Sequence, residues 1–138
     1  MSRKLNQVVL IDDNETTSFL NNRLLQRLDL AEHILSFTNA EQAFYQLWSP
    51  QAIAAAQVPE LVFVDLKMPG MDGFEFLNQY SRLAPEVREK TVMAVLTTSM
   101  HSADTSRVAQ YEGVEYLAKP LTEEKMQKLL DKRFSLAN

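Results

Sequence analysis

Three aspartates, a threonine and a lysine stand where a fold could use them together. Asp65 follows the apolar run Leu61-Val62-Phe63-Val64, and Asp12 and Asp13 follow a second run, Val8-Val9-Leu10-Ile11. Thr97 closes a third, Val92 to Leu96, and Lys119 follows the short stretch Glu115 to Ala118. Short runs rich in β-branched and aromatic residues read as strands, and the fully apolar ones as strands buried on both faces. Each reactive group therefore sits just past the carboxyl end of a strand. In an open parallel sheet those ends share one rim, where ligands bind. Carboxylates gathered there repel: at ~4 Å a like pair costs about 1 kcal/mol in water and about 4 kcal/mol at an effective dielectric of about 20. A cation must offset that. Lys119 brings one charge, and an oxygen-only donor set suits Mg²⁺, which keeps several waters and takes few carboxylates. An aspartate beside such a metal can attack phosphorus and become an acyl phosphate. Metal and lysine would neutralise the charge spread over the transferred oxygens.

Helical spacing fills the intervals between these strands. From Glu15 to Leu28, Phe19, Leu20, Leu24 and Leu28 recur at three- and four-residue steps, which predicts a helix with those residues as its apolar stripe, capped by Asp13 or Asn14. Ile34 to Phe37 reads as a brief strand. Asn39 with Gln42 resembles a capping box ahead of a stripe of Ala43, Phe44, Leu47 and Trp48. Ser49-Pro50 interrupts that stripe, and Gln51 to Ala56 adds one or two helical turns before Pro59. Pro69, Gly70 and Gly73 force a loop after Asp65, and Phe74, Leu77 and Tyr80 mark the helix beyond it. Ala103 to Tyr111 is a weak helix, with Val108 and Tyr111 as its apolar side and Gly113 as its stop. Thr122 caps a last helix with Glu123 and Glu124 in its first turn and Met126, Leu129, Leu130 and Phe134 inward. Strand then helix, repeated five times, predicts an α/β fold: a parallel sheet with helices on both faces and right-handed crossovers. We expect one domain over residues 1–138, with a core of about 7–134; residues 1–6 and those after Phe134 should be loose.

Composition narrows the function. A chain of 138 residues suits one domain, and a net charge of −4 argues against a nucleic-acid surface. The absence of cysteine excludes disulfides and thiolate metal sites. The first apolar run is too short for a signal peptide, and no apolar stretch approaches membrane-spanning length. A cytoplasmic protein without membrane attachment is the expectation.

The same residues carry a family resemblance. The acidic pair after the first strand, the Asp65 loop with Met68-Pro69-Gly70-Met71-Asp72-Gly73, the Thr97 position and Tyr116-Leu117-Ala118-Lys119-Pro120 occur in one order. Together they resemble the receiver domain of two-component response regulators, from about Val8 to Phe134. The resemblance implies a flavodoxin-like doubly wound sandwich of strand order 2-1-3-4-5, an order carried over from the family rather than derived. It implies that Asp65 is the phosphoacceptor, taking its phosphoryl group from a phosphohistidine on a sensor histidine kinase or phosphotransfer protein. Asp13, Asp65 and the Lys67 backbone carbonyl would ligate Mg²⁺ directly, and Asp12 would act through metal-bound water. Lys119 would contact the phosphoryl group, Thr97 would reach towards it, and Tyr116 would follow by turning inward. The Lys119–Pro120 bond would be cis.

Some positions depart from the family pattern. Thr98 stands where an alanine is frequent, narrowing the approach to the phosphate pocket, and the segment from Phe44 to Pro59 is longer than usual. Lys67 and Ser99 occupy positions that tune phosphoryl lifetime in the family. Plainer readings exist for single motifs: Asp12-Asp13 alone is a helix cap, Tyr116 alone is edge packing, and His33 and His101 are ordinary surface residues. The resemblance implies no catalysis beyond the chain's own phosphorylation and dephosphorylation. An aspartyl-nucleophile phosphohydrolase would need a second acid two residues after Asp65, where Lys67 stands, and a substrate cap for which no insert is large enough. A third reading is a scaffold that is never phosphorylated. The chain ends just after the fifth predicted helix, so no output domain is expected and readout would be by contact with a downstream protein. Family members often pair through strands four and five and the helix after each; the sequence does not choose between a monomer and that homodimer.

Overall fold

A computed structural model describes residues 4–99 and 101–134. Five strands, β1 (Leu5–Ile11), β2 (Ala31–Phe37), β3 (Leu61–Val64), β4 (Val92–Thr97) and β5 (Glu115–Ala118), form one sheet in the order β2-β1-β3-β4-β5. Every neighbouring pair is parallel. Among the described residues seven helices connect and flank them: α1 (Glu15–Leu28), α2 (Ala40–Leu47), α3 (Pro50–Ala54), α4 (Gly73–Ser81), α5 (Pro85–Arg88), α6 (Ser102–Val108) and α7 (Glu123–Arg133). This is the doubly wound, flavodoxin-like fold, with the predicted strand order.

Alternation along the strands divides the core in two, because successive side chains point to opposite faces. Val9, Ile11, Val62, Val64, Met93 and Val95 pack under α2, α4 and α6. Val8, Leu10, Leu61, Phe63, Ala94 and Leu96 pack under α1 and α7. On the first face Phe44, Trp48, Phe76 and Tyr80 form an aromatic cluster with ring centroids 5.3–5.9 Å apart, the spacing at which aromatic pairs attract.

The predicted face of α1 is wrong. Phe19 and Leu20 are 59% and 58% exposed, whereas Ser18, Asn21 and Leu25 are buried. At about 100° per residue those three fall within roughly 60° of one another, and Phe19 and Leu20 point elsewhere. Leu24 and Leu28 only flank the core. The reason is local: Ser18 and Asn21 turn towards the strand ends, where the space beside Asp12 and Asp65 is only ≈ 10 Å³, too small for a large side chain. Leu25→Ala should therefore cost about 3 kcal/mol and Leu20→Ala less than about 0.5 kcal/mol in denaturant unfolding, the reverse of what the leucine spacing suggests.

Other boundaries differ in smaller ways. β1 begins at a fully buried Leu5, so residues 5 and 6 belong to the sheet; residues 1–3 and 135–138 lie outside the described residues. Asn14, not Asp13, caps α1 by accepting from the Thr17 N–H at 2.9 Å. Asn39 caps α2 by accepting from the Gln42 N–H, but the reciprocal box lies at α4, where Asp72 accepts from the Glu75 N–H and the Glu75 carboxylate accepts in return from the Asp72 N–H. Thr122 caps α7. The lengthened stretch after α2 is α3; α5 has no counterpart among the predicted elements, and each of the two starts with a proline in its first turn. α6 ends at Val108, and Gly113, at φ +78°, turns the chain into β5 instead of closing that helix. Among the described residues no helix is long and apolar enough to cross a membrane.

Candidate functional site

Register builds the site. Ile11 pairs with Val64 and Val64 with Val95, so β1, β3 and β4 end nearly level. Backbone bonds continue one residue past the strands: the Asp65 N–H donates to the Ile11 carbonyl and the Lys119 N–H to the Thr97 carbonyl, each at 3.0 Å. The chain is thus still held where the reactive side chains begin.

Those side chains converge. One carboxylate oxygen from each of Asp12, Asp13 and Asp65 lies within 4.8 Å of the others. The Lys119 ammonium is 2.6 Å from Asp12 Oδ2 and 3.1 Å from Asp65 Oδ2. The second oxygen of Asp12 accepts from the Asn14 N–H at 2.9 Å. Asp12 is buried, Asp65 largely so, and Asp13 faces solvent, which leaves the cluster open on one side. Burial pushes the Lys119 ammonium towards deprotonation, but its hydrogen bonds and attraction to Asp12 and Asp65 outweigh that and raise its pKa above the ordinary 10.5. Three carboxylates against one ammonium leave negative charge unbalanced. The donor set is all oxygen, and it fits a hard divalent ion such as Mg²⁺.

The loop after Asp65 is shaped by close backbone approach. A Cβ on Gly73 would meet the Asp65 carbonyl oxygen at 2.4 Å and the Leu66 Cα at 2.6 Å. The Gly73 N–H donates to the Leu66 carbonyl at 2.9 Å. Only glycine lets α4 start this close to the aspartate's own backbone. Lys67 extends its side chain into solvent from the same loop, and Thr98 is also exposed.

Thr97 is buried at the end of β4, where its hydroxyl oxygen accepts from the Ser99 N–H at 3.2 Å. The half-buried Tyr116 donates its hydroxyl to the Ser99 carbonyl, and the Ser99 hydroxyl donates to the Asp104 carboxylate on α6. Burial raises the Tyr116 pKa, and the Asp104 carboxylate adds to that. The loop after β4 is therefore tied to both β5 and α6. The Lys119–Pro120 peptide bond is cis.

The structure brings Asp12, Asp13, Asp65 and Lys119 into one cluster, with Thr97 and Tyr116 meeting at Ser99 beside it. Sequence reasoning missed four contributors. Asn14 supplies a backbone donor to Asp12, Gly73 makes the close approach, and Ser18 and Asn21 line the space behind the acids. The last pair left a signal: both lie within 60° of Leu25 on an ideal helix, as about 100° per residue would have shown.

Together the sheet order and its acidic rim define a doubly wound α/β module of the receiver class. The chain belongs to the response regulator receiver domain family, whose model matches residues 8–131. It is 33% identical over 128 residues to a probable chemotaxis protein CheY from Rhizobium etli, covering 93% of this chain and 92% of that one. It is 28% identical over 124 residues to a probable methanogenesis regulatory protein from Methanothrix harundinacea, covering 90% of this chain and 78% of the relative. A two-component response regulator structure from Cytophaga hutchinsonii superposes with a TM-score of 0.85 at 28% identity, covering 96% of this chain and 99% of that one. Other relatives are longer, and the chain spans between 12% and 53% of their length.

Proposed function

We propose that Asp65 accepts a phosphoryl group from a phosphohistidine of a sensor histidine kinase or phosphotransfer protein, and that the modified aspartate alters a protein-contact surface. One observation carries the reading: a single ammonium, Lys119, is shared by Asp12 and Asp65 while Asp13 stands open beside them. Asp13, Asp65 and the Lys67 backbone carbonyl would hold Mg²⁺, with Asp12 acting through a metal-bound water. Bound there, the ion supplies positive charge against the spreading negative charge of the transferred group. An Asp65 oxygen forms the new P–O bond as the donor's P–N bond breaks. Lys119 then binds a phosphoryl oxygen, exchanging part of its ion pair with Asp65 for the new anion.

The added charge, about −1.5 to −2 by analogy with other phosphorylated side chains, reaches the surface through the loop after β4. Thr97 turns its hydroxyl towards the phosphoryl group, releasing the Ser99 N–H. Ser99 holds Tyr116 and Asp104, so a shift there moves β5 and α6 together. The chain's chemistry in this reading is the gain and loss of its own phosphoryl group, in the cytoplasm, with a downstream protein as the readout.

Beryllofluoride, which mimics an acyl phosphate, tests this. With Mg²⁺ it should shift the amide resonances of Thr97, Ser99 and Tyr116; without Mg²⁺, or in Asp65→Asn, it should not. An intact protein that shows no Mg²⁺-dependent response overturns the proposal.

A further inference from the structure

The buried face of α1 carries two polar side chains, Ser18 and Asn21. Asn21 is only 7% exposed, yet its side chain makes no hydrogen bond to the described residues. The Ser18 hydroxyl has one partner, the Asp12 carbonyl, at 3.5 Å, beyond the usual range of about 2.5–3.0 Å for hydroxyl donors. Both residues line a small cavity of ≈ 10 Å³ whose other walls include Asp12, Asp65 and the apolar Leu10 and Phe63. One water needs about 10–15 Å³ of such space and two to four polar partners. The polar residues around it are an asparagine, a serine and two aspartates. Among the described residues the fully buried polar atoms without a partner are Asn22 Oδ1 and Trp48 Nε1, so the Asn21 carboxamide keeps enough access to take a water.

We propose that this cavity is a water site and that Asn21, through the water, is a positioning residue for the Asp12 carboxylate. The proposal rests on the reading of the acid cluster as a Mg²⁺ and phosphoryl site. Asp12 gives one oxygen to the Asn14 N–H and the other to Lys119. An ionised carboxylate has about four lone-pair sites, so it retains capacity for a donor from the cavity side. A water held by Asn21 and Ser18 donates there and fixes the rotation of the carboxylate about its last bond. That rotation sets the direction in which Asp12 faces a cation or its hydration shell. The polar pair on α1 thus supports the acids from behind, while Lys119 and solvent meet them from the front. Partners that orient ligating carboxylates typically change metal affinity by about 10–100-fold.

A crystal structure of the metal-free protein should show one water within hydrogen-bond distance of the Asn21 carboxamide and of Asp12 or Asp65; a dry cavity overturns the proposal. Asn21→Leu, and the smaller Asn21→Val as a second apolar variant, should melt at or above the wild-type temperature without metal. Their Mg²⁺ affinity, titrated by calorimetry with the metal alone, should nevertheless fall about tenfold. Asn21→Ser, which leaves room for water, should stay within about twofold of wild type. Equal Mg²⁺ affinity in wild type and the folded apolar variants overturns the positioning role and leaves the site's reading intact. A wild-type protein that binds no Mg²⁺ overturns both.

Discussion

Lys119→Met should unfold about 3 kcal/mol more easily than wild type in metal-free buffer near neutral pH. The substitution leaves Asp12 and Asp65, both largely buried, without the ammonium that sits 2.6 and 3.1 Å from them. Removing one partner of such a cluster costs more than the intact cluster contributes, because the remaining charges stay out of water. Mg²⁺ at about a hundred times its dissociation constant should return roughly 2.7 kcal/mol, most of the loss. The same variant at saturating Mg²⁺ should still fail to respond to beryllofluoride, since the ammonium that would meet the phosphoryl oxygen is gone. The two roles of Lys119 are thereby separated. Its folded pKa is raised above 10.5, so its contribution is complete below that pH and disappears as the pH climbs through the raised value. Wild type should show this alkaline decline and the variant should lack it. Equal metal-free stability of the two proteins would remove the electrostatic account of the site.

Gly73→Ala should be the most damaging of the glycine substitutions, costing about 3 kcal/mol and weakening the Mg²⁺ and beryllofluoride responses at least about tenfold. The new methyl would have to displace backbone, not a flexible side chain, and the backbone in question is that of Asp65 and Leu66. The control is Gly70→Ala in the same loop. Gly70 has φ +76°, but a methyl there would meet nothing within 4 Å, so its replacement should cost about 1 kcal/mol of backbone strain and leave ion binding unchanged. Paired denaturation and Mg²⁺ titration of the two variants decide the matter. A Gly73→Ala protein that binds Mg²⁺ like wild type would mean that Asp65 is not held by the close approach of α4.

The strands and the acid–lysine cluster were legible because they depend on patterns one residue deep, whereas the strand order came from the family resemblance. An apolar run followed at once by aspartate says both that a strand is buried and that a charge stands at its end. What was illegible depended on phase or on proximity. The leucines of α1 repeat at helical steps, but spacing alone does not say which side of a helix meets the sheet; Ser18 and Asn21 do, since their surroundings include Asp12 and Asp65. Gly73 reads as a loop former, and its role emerges only once α4 and the Asp65 backbone are seen so close that a Cβ there would stand 2.4 Å from the Asp65 carbonyl oxygen. The capping box at Asp72 and Glu75 follows the expected spacing, yet the adjacent Pro69, Gly70 and Gly73 point towards an irregular loop. The hydroxyl chain from Tyr116 through Ser99 to Asp104 joins residues 17 and 5 positions apart, and only folding brings them together.

The position of β1 in the middle of the sheet bears on how the chain is made. Ile11 pairs with Val64, so the edge of β1 that meets β3 has no partner until about fifty further residues have left the ribosome. At about 5–20 residues per second that delay lasts several seconds. The β1–α1–β2 unit can assemble meanwhile, covering one edge of β1 and leaving the other as an apolar ladder open to neighbouring nascent chains. Synthesis rate and chaperone supply should therefore govern the yield of this protein more than its final stability does.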